Sequence, residues 1–280
     1  MLTSQRVLHD DNGTFNDISQ YVNNIFSETV AIPLVSAEDK LYIGSELPFN
    51  HRYFDVSTAN TQASTVSKVE QWDGNSWEEA VDVVDETSDG TNAFAQSGRI
   101  SWTLERNKSW SKEDTTEDIT DMTSLKIYKF YWARITFTGS FDATTALNYV
   151  GFNFADDNDL AGLYPDLVLS STIGAFKSGK TDWDEQHLLA AEEIIRYLMK
   201  NRRIWSGNQI LNWEQFNMAA IHKVAEIILA SFGKDFEDRR QLAMSKYLQA
   251  INMGVMELDM DEDGRKDEFE RRPSLGLFRS

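Results

Sequence analysis

The chain has 280 residues, of which 41% are hydrophobic and 12% aromatic, ample for a packed core and too apolar for disorder along its whole length. Lys and Arg number 27 against 45 Asp and Glu, a formal charge of −18 that phosphate backbones repel, which argues against sequence-specific reading of DNA or RNA. Cysteine is absent, so disulfide frameworks, thiol nucleophiles and thiolate metal sites are excluded together.

The opening stretch 1–13 holds no apolar run of the kind a secretory signal needs. No segment approaches the ~20 uninterrupted apolar residues of a membrane helix. The expectation is a soluble protein made in the cytoplasm. From there to about residue 165, short apolar runs broken by Gly, Asn, Asp and Ser predict strands at 28–35, 40–43, 52–58, 66–72, 77–84, 99–104, 126–138 and 147–152. The clearest hairpin is Val69–Trp72 turning through Asp73-Gly74-Asn75-Ser76 into Trp77–Val83, because glycine accepts a positive φ without steric cost. The run 126–138 alternates imperfectly, as a central strand covered on both faces would. Many short strands favour an antiparallel sandwich over a parallel α/β sheet. The charged stretch Ser111–Asp118 reads as a solvated loop, and Asp156-Asp157-Asn158-Asp159 as a capped polar turn at a junction in preference to a metal site.

Beyond residue 165 the texture changes. Residues 1–165 carry 11 basic and 26 acidic side chains, whereas 166–280 carry 16 and 19. Three helices are expected. The first is capped by Thr181 with Asp184 at its third position, carries an apolar stripe from Leu188 to Met199, and ends in Lys200, Arg202 and Arg203. The second starts at Asn212 with Gln215 three residues on and stops at Gly233, and the third runs from Glu237 to Glu257. The expected fold class is therefore α+β in two domains. Residues 1–165 are expected to form an antiparallel β-sandwich of decoration, immunoglobulin-like or carbohydrate-binding-like type, 166–258 an α-helical bundle, and 259–280 an acidic loop with an extended C-terminal arm.

The sharpest motif is the stretch 259–270. Asp259, Asp261, Asp263, Asp267 and Glu270 stand at positions 1, 3, 5, 9 and 12 of a twelve-residue loop with Gly264 at position 6, the spacing by which EF-hand oxygens wrap calcium. A helix is expected to enter it. Lys266 at position 8 and Pro273 soon after depart from the pattern, and a solvated acidic tail is the preferred reading of the same residues, with calcium the alternative. The basic and apolar tail beyond it offers Arg271, Arg272, Leu275, Leu277, Phe278 and Arg279 as anchors for a partner groove.

The sequence holds no HExxH or GxSxG, and His9, His51, His187 and His222 stand in no ligand spacing. The expectation is a non-enzyme. Trp72, Trp77, Trp102, Trp110 and Trp132 crowd the β half, where they either fill the core, the preferred reading, or stack on one face to bind sugar rings.

The stretch Lys180–Trp183 with His187–Ile195, the helical run Trp213–Gly233 and Asp238-Arg239-Arg240 to Tyr247 resemble the head–tail connector (adaptor) proteins of tailed bacteriophages. Leu41–Ser45, Trp72–Trp77 and Gln96-Ser97-Gly98 resemble β-sandwich domains appended to phage virion proteins. The resemblance implies a virion protein of the neck. It would form a homo-oligomeric, twelve-fold ring under the portal protein, meet further neck or tail proteins below, and leave a channel for DNA, with its arm docked on the portal. The alternative is a virion-attached protein that binds carbohydrate or the host surface.

Overall fold

The structure, a computed structural model, describes residues 4–36, 38–105, 107–253, 255–265 and 271–273. It is α+β, antiparallel sheets first and helices after, in two compact units. The first takes in the chain up to Gly151 together with Asp261–Arg265, and the second takes in Phe152–Met260 together with the strand at 271–273. The change from strand to helix thus falls at 151–152, ahead of the 165 read from composition. Phe152, Phe154 and Leu160 belong to the core of the helical unit, which draws their segment into it.

The β unit holds two antiparallel sheets. The larger runs β2 (Thr14–Asp17), β1 (Gln5–Asp11), β4 (Lys40–Ser45), β11 (Phe130–Phe137), β6 (Val66–Trp72) and β7 (Trp77–Glu79), with β10 (Lys112–Glu113) pairing β11. The smaller runs β3 (Val30–Ala31), β12 (Ala146–Gly151), β5 (His51–Thr58), β9 (Gly98–Thr103) and β8 (Val81–Asp85). Both sheets feed one apolar cluster, with Val7, Ile43, Val69 and Ile135 from the first and Phe54, Ile100, Trp102 and Val150 from the second. Strand alternation makes this possible, since β11 sends Ala133, Ile135 and Phe137 to that cluster and Trp132 to the opposite face. There Trp132 joins Leu8, Tyr42, Trp72, Ile119 and Met122 in a second cluster, so β11 is the doubly covered central strand expected.

Lys112, Asp114, Glu117 and Asp118 are exposed, as expected of a solvated stretch, but Ser111–Asp118 is not simply a loop. Lys112–Glu113 is strand, Thr115 caps a turn of 3-10 helix at Thr116–Asp118, Thr116 is buried, and Ile119 and Met122 roof the sheet. The Asp73–Ser76 turn forms as read, with Trp72 pairing Trp77, Asp73 Oδ1 accepting from the N–H groups of Asn75 and Ser76 at 2.7 Å each, and Gly74 at φ +103°; its second strand, expected to reach Val83, ends at Glu79, and Val81–Asp85 is β8 of the smaller sheet. One buried cation staples the two sheets. Arg52, fully buried on β5, lies 3.9 Å from the Phe49 ring centroid and donates through Nε to Gln5 Oε1 at 2.7 Å and through a terminal nitrogen to the His51 carbonyl.

The helical unit contains α2 (Asp157–Leu163), α3 (Ser170–Phe176), α4 (Asp184–Lys200), α5 (Asn217–Ser231) and α6 (Glu237–Met253); the four-residue α1 (Ser19–Val22) lies in the β unit. Ala191, Ile194, Ile195 and Leu198 of α4, Val224, Ile228 and Leu229 of α5, and Ala243, Tyr247 and Ile251 of α6 share one core at helical spacing. Lys223 Nζ pairs Glu193 at 2.6 Å and Glu226 at 2.8 Å, and Arg240 reaches Glu226 and Glu237, so a chain of charges ties α4, α5 and α6 together. Helix starts differ from expectation. Thr181 does not cap α4; its hydroxyl donates to Asp182, while the indole of buried Trp183 donates to the Leu167 carbonyl and the helix begins after it. α6 ends at Met253 rather than near 257, because Val255–Glu257 forms β13, paired antiparallel with β14 (Arg271–Pro273).

Candidate functional site

Three of the five residues expected to hold calcium fall in the described part of the acidic loop. One carboxylate oxygen each from Asp259, Asp261 and Asp263 lies within 4.8 Å of the others. Asp259 is buried and fixed by its backbone: its N–H donates to the Gln209 carbonyl at 2.8 Å, and its carbonyl accepts from Gln209 Nε2 at 2.9 Å. Gly264 holds φ +78°, the left-handed conformation a sharp turn requires at position 6, and Asp263 Oδ1 accepts from the Arg265 N–H at 2.8 Å. The flanks differ from a helix–loop–helix hand, because strands β13 and β14 close the loop on both sides. Asp267 and Glu270 lie outside the described residues.

The expected docking arm is strand-paired at its root. Arg271 is opposite Glu257 and Arg272 opposite Met256 in the β13–β14 ladder, so the chain is not a free arm from residue 271. Leu275, Leu277, Phe278 and Arg279 lie outside the described residues.

The acidic group at 156–159 is a helix start. Asp156 Oδ1 accepts from the Asp159 N–H at 2.9 Å while Asp159 Oδ2 accepts from the Asp156 N–H at 3.2 Å, a reciprocal capping box that opens α2. Asp159 also takes the Asn217 amide at 2.8 Å, and Asp157 meets His187 Nε2 at 3.0 Å and accepts from the Trp183 N–H at 3.2 Å. These carboxylates are tied to the framework of the helical unit.

The histidines are likewise packed. His222 Nδ1 meets the Tyr164 hydroxyl at 2.9 Å, and burial, with Lys246 adding, holds its imidazole below the usual 6.5. His9 is also held below that value by burial, which outweighs the opposing pull of Asp39, Asp11 and Asp10. Trp72, Trp102 and Trp132 are buried and meet neighbouring rings edge-on or tilted, such as Trp72 with Trp77 at 5.4 Å and 67°, so they interlock instead of presenting coplanar faces.

Trp110 is different. It is half-buried beside a pocket of about 430 Å³ whose walls include Pro48, Asn107, Lys108, Ser109, Asp263 and Arg265. Trp110 Nε1 donates to the Trp132 carbonyl at 3.1 Å, and the ring packs on Phe49 at 5.0 Å and Tyr131 at 5.7 Å, which fixes its orientation. Sequence reasoning grouped Trp110 with the other tryptophans. The polar run just before it, Asn107-Lys108-Ser109, was the signal that it sits at a surface. No protein-family model matches the sequence, and no curated protein is significantly similar to it.

Proposed function

We propose that this chain is a structural protein of a tailed-phage virion. It is a head–tail adaptor whose helical bundle assembles into a homo-oligomeric ring under the portal protein and bridges it to the tail around a DNA channel, with the β-sandwich as an appended outer domain. The sequence resemblance of the helical stretch supports this reading, and one structural observation carries it. α6 packs into its own unit through Ala243, Tyr247 and Ile251, yet it also exposes Leu242, Met244 and Leu248 off that stripe. Trp205 and Met218 of the same unit are about half exposed as well. Large apolar side chains left outside a helix's own core contact give a neighbouring copy something to cover.

Charge favours the same division of labour. Residues 166–280 are nearly balanced and permit close approach of identical copies, whereas residues 1–165, with 26 acidic against 11 basic residues, repel their own kind. The work of such a subunit is mechanical, and its place is the virion neck. Light scattering of the full chain, alone and mixed with portal rings, tests the reading. A ring, or a monomer that assembles only on the portal, supports it; a monomer at every concentration that ignores the portal overturns it. The proposal includes calcium at the Asp259–Asp263 turn, supported by the three converging carboxylates. Titration calorimetry with calcium is expected to give a saturable heat, and its absence removes the ion from the reading.

A further inference from the structure

We propose that the pocket beside Trp110 binds a neutral sugar ring, a hexopyranoside. The inference is independent of the ring assembly, because every lining residue belongs to the β unit; it shares only Asp263 with the calcium reading. Its volume of about 430 Å³ lies toward the lower end of the ~300–1,000 Å³ typical of small-molecule sites, room for a ring rather than a long chain. The ligand's chemistry follows from the lining. Trp110 and Pro48 supply an apolar wall for the C–H face of a pyranose, and Trp110 is held in place by its bond to the Trp132 carbonyl. The charged groups are already matched. Lys108 pairs with Glu78, Arg265 donates to the carbonyls of Glu105 and Lys108, and Asp263 accepts from the Arg265 N–H. With Lys108 and Arg265 balanced by Glu262 and Asp263, the lining has no net formal charge, so an anionic ligand gains no attraction to offset its desolvation. A purely apolar ligand would strand the polar side chains. Asn107 and Ser109 are exposed, and no side-chain bond to another described residue occupies the Asn107 amide or the Ser109 hydroxyl. A ring of hydroxyls, each able to donate and accept, suits both.

The test uses the full chain with the methyl glycosides of glucose, galactose, mannose and N-acetylglucosamine, read by saturation-transfer NMR and by indole fluorescence. At least one glycoside is expected to bind saturably, with Kd on the order of 1 mM. Two substitutions of exposed residues that leave the core intact, Asn107→Ala and the pocket-filling Ser109→Tyr, are expected to weaken that binding about tenfold or more. Oligosaccharides of the same sugar binding more tightly would place the natural source in a polymer, and equal affinity would place it in a free sugar; both support the site. Three outcomes overturn it: no saturation by any glycoside up to about 50 mM, binding that ignores both substitutions, or inorganic phosphate displacing the sugar.

Discussion

Gly44 is the residue whose side chain matters by being absent. It stands opposite Trp132 across β4 and β11, and the indole lies over it so closely that a Cβ there would meet the ring at 2.7 Å. Trp132 is fully buried in the outer cluster and packs edge-on to Phe130, so it has little freedom to retreat. Gly44→Ala is therefore expected to destabilise the β unit by about 1–3 kcal/mol, the usual cost of overpacking a filled core. Urea unfolding followed by tryptophan fluorescence reads this, and an unchanged midpoint would show that the sheet absorbs a methyl group at no cost. A second residue sets a pH dependence. Neutral His222 can accept the Tyr164 hydroxyl at Nδ1, and protonation removes that acceptor inside the helical unit. Its pKa in the fold lies below the unfolded value of 6.5, so its contribution is complete above that pH and is lost as the pH falls from 6.5 towards the folded value. Between pH 7.5 and 5.5 the parent chain should lose more stability than His222→Gln, in which this titration is gone. His9 shifts in the same sense in both proteins, so only the difference between them is diagnostic. Equal losses would sink the assignment.

At the scale of elements, the α2 capping box makes a local claim. Asp156→Ala removes an acceptor for the Asp159 N–H and should cost about 1 kcal/mol. Thermal unfolding should place that loss in the helical transition, and a shift confined to the β unit would contradict it. Elements written in local chemistry were legible in the sequence. The 66–72 strand was read residue for residue, the Asp73-Gly74 turn had its signal, and the 3.6-residue stripes located α4 and α5. The N-terminal hairpin β1–β2 was missed although Asn12 and Gly13 form its turn with φ +47° and +85°. Its strand offers only Val7 and Leu8 as apolar residues, and the buried His9 and Asp10 look like surface. β13 was read as the end of α6, because Val255 and Met256 continue an apolar run and nothing nearby announces a partner at 271–273. The candidate sites divide the same way. The spacing of Asp259, Asp261 and Asp263 lies within five residues and was readable. The Trp110 pocket joins Pro48, Asn107–Trp110 and Asp263–Arg265, which only the fold brings together.

For the whole molecule the question is how a chain of net charge −18 would form the proposed ring. Long-range repulsion opposes every encounter, so the proposed assembly would have to rest on short-range apolar contact, and the helical unit is where exposed Leu, Met and Trp side chains collect. Two consequences follow if α6 is that contact. Screening should strengthen assembly, because at about 0.5 M salt the Debye length falls to a few ångströms while apolar burial is undiminished. Placing a charge on the exposed side of α6 should break it. Leu242→Glu and Leu248→Glu alter side chains already 58% and 36% exposed in the isolated chain, so each should change folding stability by no more than about 0.5 kcal/mol. Each should nevertheless turn the assembled form, alone or on portal rings, into a monomer, because a carboxylate would be buried unpaired at the contact. Sedimentation velocity of parent and variants at low and high salt separates these effects. An assembly that dissolves as salt rises is held by ion pairs, and one indifferent to both glutamates is built on another surface; either result would move the ring contact away from α6.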